Sequence, residues 1–172
     1  MMSKLKKSTE LLGLFGWLIV VFITATIGAI ASVDAGEFYS QLEKPSWAPP
    51  GWLFGPVWTV LYAFMGIAAW LVWRERYNLN ASLKRVHAGL TVFLMQLVLN
   101  ALWSWLFFSW HLGGWAFVDI VVLWIFIGFT VVGFLGVNKL AALLIAPYLL
   151  WVLFAAILNY AVWKMNPALL GS

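Results

Sequence analysis

The chain has no cysteine and very little charge: Lys, Arg, Asp and Glu make up 9% of its 172 residues. Without cysteine there is no disulfide, no thiolate metal site, no cysteine nucleophile and no thiol-linked haem. A soluble domain carries roughly 25% charged residues. A chain this poor in charge cannot surround itself with water, so lipid must be much of its solvent. Histidine is scarce too. His87 and His111 stand far apart, and without a second histidine at helical spacing a haem electron carrier is disfavoured. No phosphate loop, metal-ligand cluster or hydrolytic triad is present. The net charge is +4 and the pI near 9.5, but the basic residues sit at the ends of apolar runs rather than on one face, which argues against nucleic acid as a partner.

What the chain does have is hydrophobic residues, 65% of the total, and thirteen tryptophans. Five apolar runs span residues 11–33, 51–73, 86–108, 115–136 and 140–163. Each of these expected helices is long enough to cross a hydrocarbon core of about 30 Å at about 1.5 Å per residue. The runs are continuous rather than alternating, which excludes a membrane β-barrel. The expected fold is therefore an all-α integral membrane protein, a single domain of five transmembrane helices. Lys4, Lys6, Lys7 and the Ala29-Ile30-Ala31 triplet resemble parts of a signal peptide, but the 23-residue run between Leu11 and Val33 exceeds a signal core of about 7–15 residues. It reads as a retained span.

Eight basic residues (Lys4, Lys6, Lys7, Arg74, Arg76, Lys84, Arg85, Lys139) fall on one side of a five-span topology, and only Lys44 and Lys164 on the other. The positive-inside rule then places the N-terminus in and the C-terminus out. Three of the loops are short, so neighbouring helices pack antiparallel. The first, 34–50, is long and holds three prolines and Trp47, which suits an ordered lid.

Sorted by depth, eight tryptophans fall toward the outer half (Trp47, Trp52, Trp58, Trp103, Trp105, Trp110, Trp115, Trp163), three toward the inner half (Trp17, Trp70, Trp73), and Trp124 and Trp151 near the middle. An interface belt explains many of them. The asymmetry points beyond a belt, to an aromatic cavity under the first loop with Trp58 and Trp151 as its floor. Pro147 is expected to bend the fifth span and open space; Pro56 fits a tolerated first turn. The intramembrane amides Gln96, Asn100 and Asn159 admit two readings: interhelical glue, worth about 1 kcal/mol each, or, for Asn100, a hydrogen bond to ligand. Asp119, the one carboxylate inside a span, is either a structural acceptor or a site residue. His111 reads as a solvated loop histidine, with metal ligation as the alternative. Leu158, Tyr160 and Lys164 fit the loose pattern proposed for sterol contact, and equally an interface anchor.

Lys44-Pro45-Ser46-Trp47-Ala48-Pro49-Pro50, Gly55-Pro56-Val57-Trp58 and Leu61-Tyr62 together resemble the TspO/MBR family of tryptophan-rich sensory proteins and translocator proteins. The resemblance continues through Gln96-Leu97, Asn100-Ala101-Leu102-Trp103, Gly114-Trp115-Ala116 with Val118-Asp119, Pro147-Tyr148-Leu149-Leu150-Trp151 and Leu158-Asn159-Tyr160. It implies a five-helix bundle, usually a homodimer, whose pocket is capped by the first loop. It also implies binding of porphyrins such as protoporphyrin IX, of sterols and of benzodiazepine-site drugs, with no required cofactor. Carried over by position, the pocket comprises Trp47, Trp58, Asn100, Trp115, Trp151 and Ala155. Trp58 and Trp151 match tryptophans assigned to light-dependent degradation of protoporphyrin IX. The resemblance leaves receptor, photochemical enzyme and transporter open. A short chain without inverted repeats or an intramembrane charge network weighs against a transporter. The sterol-like segment stops at Lys164 without a longer basic tail, which argues against cholesterol import. The short basic N-terminus points to a bacterial source.

Overall fold

A computed structural model of the chain describes residues 2–78 and 82–171, with side chains in the first helix described from Thr9 onward. The side chains of Lys4, Lys6 and Lys7, on which the expected topology partly rests, lie outside the described residues. Every described element is helical. With no water in a bilayer core, each backbone donor must find its acceptor within its own segment, and the helix does this without edges.

The helices are α1 (Met2–Ala31), α2 (Ala35–Gln41), α3 (Phe54–Arg74), α4 (Leu83–Ser104), α5 (Gly113–Leu135) and α6 (Lys139–Met165). All but α2 are long and apolar enough to span a membrane. The five long helices form a closed ring: α1 packs on α3 and α4, α3 on α6, α6 on α5, and α5 on α4. The core between them is apolar and dense, with Met65, Phe93, Leu123, Ile127, Phe134, Ile145 and Tyr148 almost fully buried.

Two details differ from the sequence reading. The loop 34–50 is not all loop, because α2 occupies its first half. The third span does not end as an α-helix: residues Trp105–Ser109 widen into a π-helical turn, closed by Trp110 N–H to the Trp105 carbonyl at 2.9 Å and Leu112 N–H to the Leu106 carbonyl at 2.8 Å. Such a turn changes the angular step between side chains, and here it accompanies the burial of Phe107 beneath the lid. Helix α6 runs unbroken through Pro147. The space in the bundle lies against the part of α6 that begins two turns later at Ala155.

Close approach comes from glycine. At Gly66 of α3 an added Cβ would stand 2.7 Å from Leu18 Cδ2 and 3.3 Å from Leu18 Cα, so the α1–α3 contact needs a residue without a side chain. At the other end of the bundle the ring of Trp163 covers Gly113 and Gly114.

Candidate functional site

Under the first loop lies a cavity of about 500 Å³, in the size range of small-molecule sites. Its residues come from every long helix but α5. Helix α1 gives Ala25, Gly28 and Ala29, small residues at i, i+3 and i+4 that share one helix face, and Ser32 follows in the turn just after it. Helix α3 gives Phe54, Trp58 and Tyr62; the end of α4 gives Trp103 and Phe107; α6 gives Ala155, Leu158 and Asn159. The wall is aromatic on the sides of α3 and of the end of α4. Thr26, Ala29, Gly55 and Thr59 line the cavity and are also exposed, so it opens sideways between α1 and α3. The two threonine hydroxyls donate to their own helix carbonyls, Thr26 to Phe22 at 2.8 Å and Thr59 to Gly55 at 2.9 Å, so the mouth presents little free polarity.

The end of the cavity toward the loop is closed by α2 and the segment after it. Leu42 is buried among Phe107, Ala116, Leu158, Val162 and Leu170. The Asn166 amide clamps the lid backbone from below: Glu43 N–H donates to Asn166 Oδ1 at 2.8 Å, and Asn166 Nδ2 donates to the Glu43 carbonyl at 2.8 Å. Lys44 folds back to donate to the carbonyls of Tyr39 (2.6 Å) and Leu42 (2.8 Å), and Tyr39 Oη donates to the Pro49 carbonyl at 3.1 Å. Burial pushes the Tyr39 phenol above its ordinary pKa. Phe38 of α2 stacks on His111 with ring centres 4.2 Å apart. His111 adopts a positive φ of 54°, an uncommon conformation for a residue with a side chain. It is thus a packing partner of the lid, and no group of three metal-ligating side chains occurs among the described residues.

Deeper in, a buried polar chain ties three helices together. Tyr62 Oη donates to Asn100 Oδ1 at 2.5 Å, Asn100 Nδ2 donates to Tyr148 Oη at 3.0 Å, and Tyr148 Oη donates to Gln96 Oε1 at 2.9 Å. Asn100 is 4% exposed and is not among the residues lining the cavity. Its amide is engaged by two tyrosines, and Tyr62 is the member of the chain that reaches the cavity. Asn159 is likewise engaged, accepting from Trp103 Nε1 at 2.9 Å and donating to the Gly113 carbonyl at 3.1 Å, while also lining the cavity. Asp119 is buried, and its Oδ2 has no partner among the described residues.

Apart from Asn100, the expected site residues divide into three groups. Trp58, Ala155 and Leu158 line the cavity. Trp47 and Trp151 stand behind that lining: Trp47 packs on Phe154 at 5.9 Å, Phe154 on Trp151 at 5.5 Å, and Trp151 on the lining residue Phe54 at 5.9 Å. The Trp151 Nε1 is buried without a partner among the described residues. Of the two tryptophans expected as the floor, Trp58 lines the cavity, and Trp151 is outside the lining, in contact with Phe54. Trp115, Tyr160 and Lys164 face outward. Trp115 is 60% exposed because Gly113, Ala116 and Ile120 form the inward face of α5, and a residue one step from Ala116 turns away by about 100°. Tyr160 packs on Phe117 at 5.2 Å, and Lys164 Nζ lies 4.3 Å over the Trp163 ring, the arrangement of an interface anchor. Sequence reasoning missed the α1 wall, Tyr39, Phe54 and Phe107. The spacing of Ala25, Gly28, Ala29 and Ser32 was a legible signal for the first; the other three depend on where the lid lands.

The arrangement matches known proteins along most of its length. The model of the TspO/MBR family matches residues 17–164. The tryptophan-rich protein TspO of Chlorobaculum tepidum is 45% identical over 133 residues, covering 77% of this chain and 82% of that protein. The human translocator protein is 41% identical over 130 residues, 76% of this chain and 75% of that protein. Protein CrtK of Rhodobacter capsulatus is 38% identical over 144 residues, 83% and 88% of the two chains. The chain is a multi-pass integral membrane protein and belongs to the TspO/MBR family.

Proposed function

We propose that this protein is a membrane receptor that binds a flat, apolar ligand of the porphyrin class, such as protoporphyrin IX, and reports it to tetrapyrrole metabolism or a stress response. The observation that carries the reading is the cavity: about 500 Å³, walled by Trp58, Tyr62, Phe54, Trp103 and Phe107, and open toward the bilayer between α1 and α3. Aromatic faces stack on an extended π system at ring distances of about 4.5–7 Å. A mouth on the membrane flank suits a ligand that is dissolved in lipid. The basic-residue bias supports an N-terminus on the inner side.

The photochemical reading calls for two indoles beside the ligand. Trp58 lines the cavity, whereas Trp151 is outside the lining and packs on Phe54. That placement favours binding over two-indole chemistry. Titration of the purified protein with protoporphyrin IX, in the dark and then under light, tests both. Saturable dark quenching with bleaching no faster than free porphyrin supports the receptor. Light-dependent loss abolished by Trp58→Phe and Trp151→Phe would replace it with an enzyme, and absence of saturable binding would remove the porphyrin class altogether.

A further inference from the structure

The end of the bundle opposite the lid carries a second concavity. A groove of about 400 Å³ runs along α1 past Leu12, Gly13, Gly16 and Val20 and is walled by Trp73 of α3. Two glycines make it. A Cβ on Gly13 would stand 2.2 Å from Trp73 Cζ3, so only glycine lets the indole edge lie against the α1 backbone. Nothing lies within 4 Å of a Cβ built on Gly16, which leaves the groove floor open. Leu12 and Val20 on its rim are exposed. In a bilayer this surface meets acyl chains.

At the end of the groove the chemistry changes. The Arg76 guanidinium lies 3.6 Å over the Trp73 ring that forms the wall. One of its terminal nitrogens donates to Tyr77 Oη, and its Nε is buried without a partner among the described residues. Arg74 lies 5.0 Å over the ring of Trp70, whose own N–H donates to the Glu10 carbonyl at 2.8 Å and so fixes the ring to α1. Glu75, the carboxylate between the two arginines in sequence, is engaged by Asn138 (3.2 Å) and Asn78 (3.1 Å). The aromatic rings hold both guanidinium groups in place but offer them no anionic acceptor, and a guanidinium carries five N–H donors in a fork that suits phosphate.

We propose that this groove binds an anionic phospholipid, with an acyl chain between α1 and Trp73 and the phosphate on Arg76 and Arg74. An apolar slot that ends at two oriented cations near a membrane surface fits a phosphodiester with a chain attached. The head group is anionic rather than zwitterionic because eight of the ten basic residues gather at this end in the five-span arrangement, and a choline would add another cation among them. The proposal is independent of what the lid-side cavity holds.

Native mass spectrometry of the full chain tests it, with dioleoylphosphatidylglycerol and dioleoylphosphatidylcholine added in turn. The wild type is expected to keep one phosphatidylglycerol at concentrations where phosphatidylcholine is lost. Arg76→Gln and Arg74→Gln should each weaken that binding about fivefold, the effect of one basic residue at a charged membrane surface. Gly16→Leu fills the open floor and should lower retention while leaving both arginines intact; if it fails to fold, the arginine variants still decide. Equal retention of the two lipids, or an Arg76→Gln protein that binds like the wild type, overturns the site. A Gly16→Leu protein with unchanged lipid binding but altered oligomeric mass also overturns it, and makes the groove a contact between two copies.

Discussion

The two ends of this bundle are built from the same residues and behave differently. Away from the lid, small residues face large ones: Gly66 takes Leu18 and Val21, Gly13 takes Trp73, and Gly89 takes the ring of Phe134. Around the lid-side cavity small residues are left unfilled: Ala25, Gly28 and Ala29 of α1, Gly55 and Thr59 of α3, and Gly51 just before α3 all line it. In lipid there is no hydrophobic pull to collapse such a gap, and helices associate through close packing and interhelical hydrogen bonds. Where the packing is left undone, the bonds must hold the helices. Below the cavity they do, through the Tyr62–Asn100–Tyr148–Gln96 chain.

The contrast makes a paired prediction. Gly66→Leu should cost about 2–3 kcal/mol, because a side chain there meets the α1 backbone as well as Leu18. Ala29→Leu, the same kind of enlargement on the exposed cavity mouth, should change stability by about 0.5 kcal/mol or less and act on ligand entry instead. Thermal unfolding in detergent measures the first effect and stopped-flow association with porphyrin the second. Equal destabilisation by both would erase the distinction between the two ends.

Asn100→Leu comes next, at about 2 kcal/mol. It removes two interhelical bonds and strands the Tyr62 hydroxyl in an apolar interior. If Asn100 acted mainly on ligand, the same change would weaken binding strongly and leave the unfolding temperature in place. Asn166→Ala should cost about 1–2 kcal/mol, since it opens both bonds to Glu43, and it should show first as faster proteolysis within the lid. Trp58→Leu should weaken porphyrin binding about fivefold or more through lost stacking, while Trp151→Leu, outside the lining, should weaken it less than about twofold. Titration of the two variants side by side ranks the layers of the wall.

Much of the fold was legible before any coordinate. Long apolar runs bounded by charges dictate spans, and short loops dictate antiparallel neighbours. The motif around Trp47 and Trp58 pointed to the end of the bundle where the cavity lies. Trp115 shows where residue type falls short, because a tryptophan's role depends on its angular position. Trp115 is one residue from Ala116, which is fully buried, and that single step separates lipid from core. The contact of Trp151 with Phe54 joins two helices and could not be read from the sequence around Trp151.

The smallest expected effect lies in the lid and depends on pH. Tyr39 carries its phenol partly buried, with its hydroxyl donating to the Pro49 carbonyl, and burial raises its pKa. A raised value means that the closed lid prefers the neutral phenol. The preference contributes in full below the ordinary tyrosine range near 10 and is lost as pH rises through the higher value of the closed state. Lid closure should therefore be flat across neutral pH and loosen only in alkali. Tyr39→Phe removes the ionisation together with one hydrogen bond, so it should lower lid protection slightly at every pH and flatten the alkaline loss. Proteolysis of the lid between pH 7 and 11, in the wild type and Tyr39→Phe, checks this. An alkaline loss of the same size in both proteins would show that the Tyr39 phenol does not set the pH dependence of the lid.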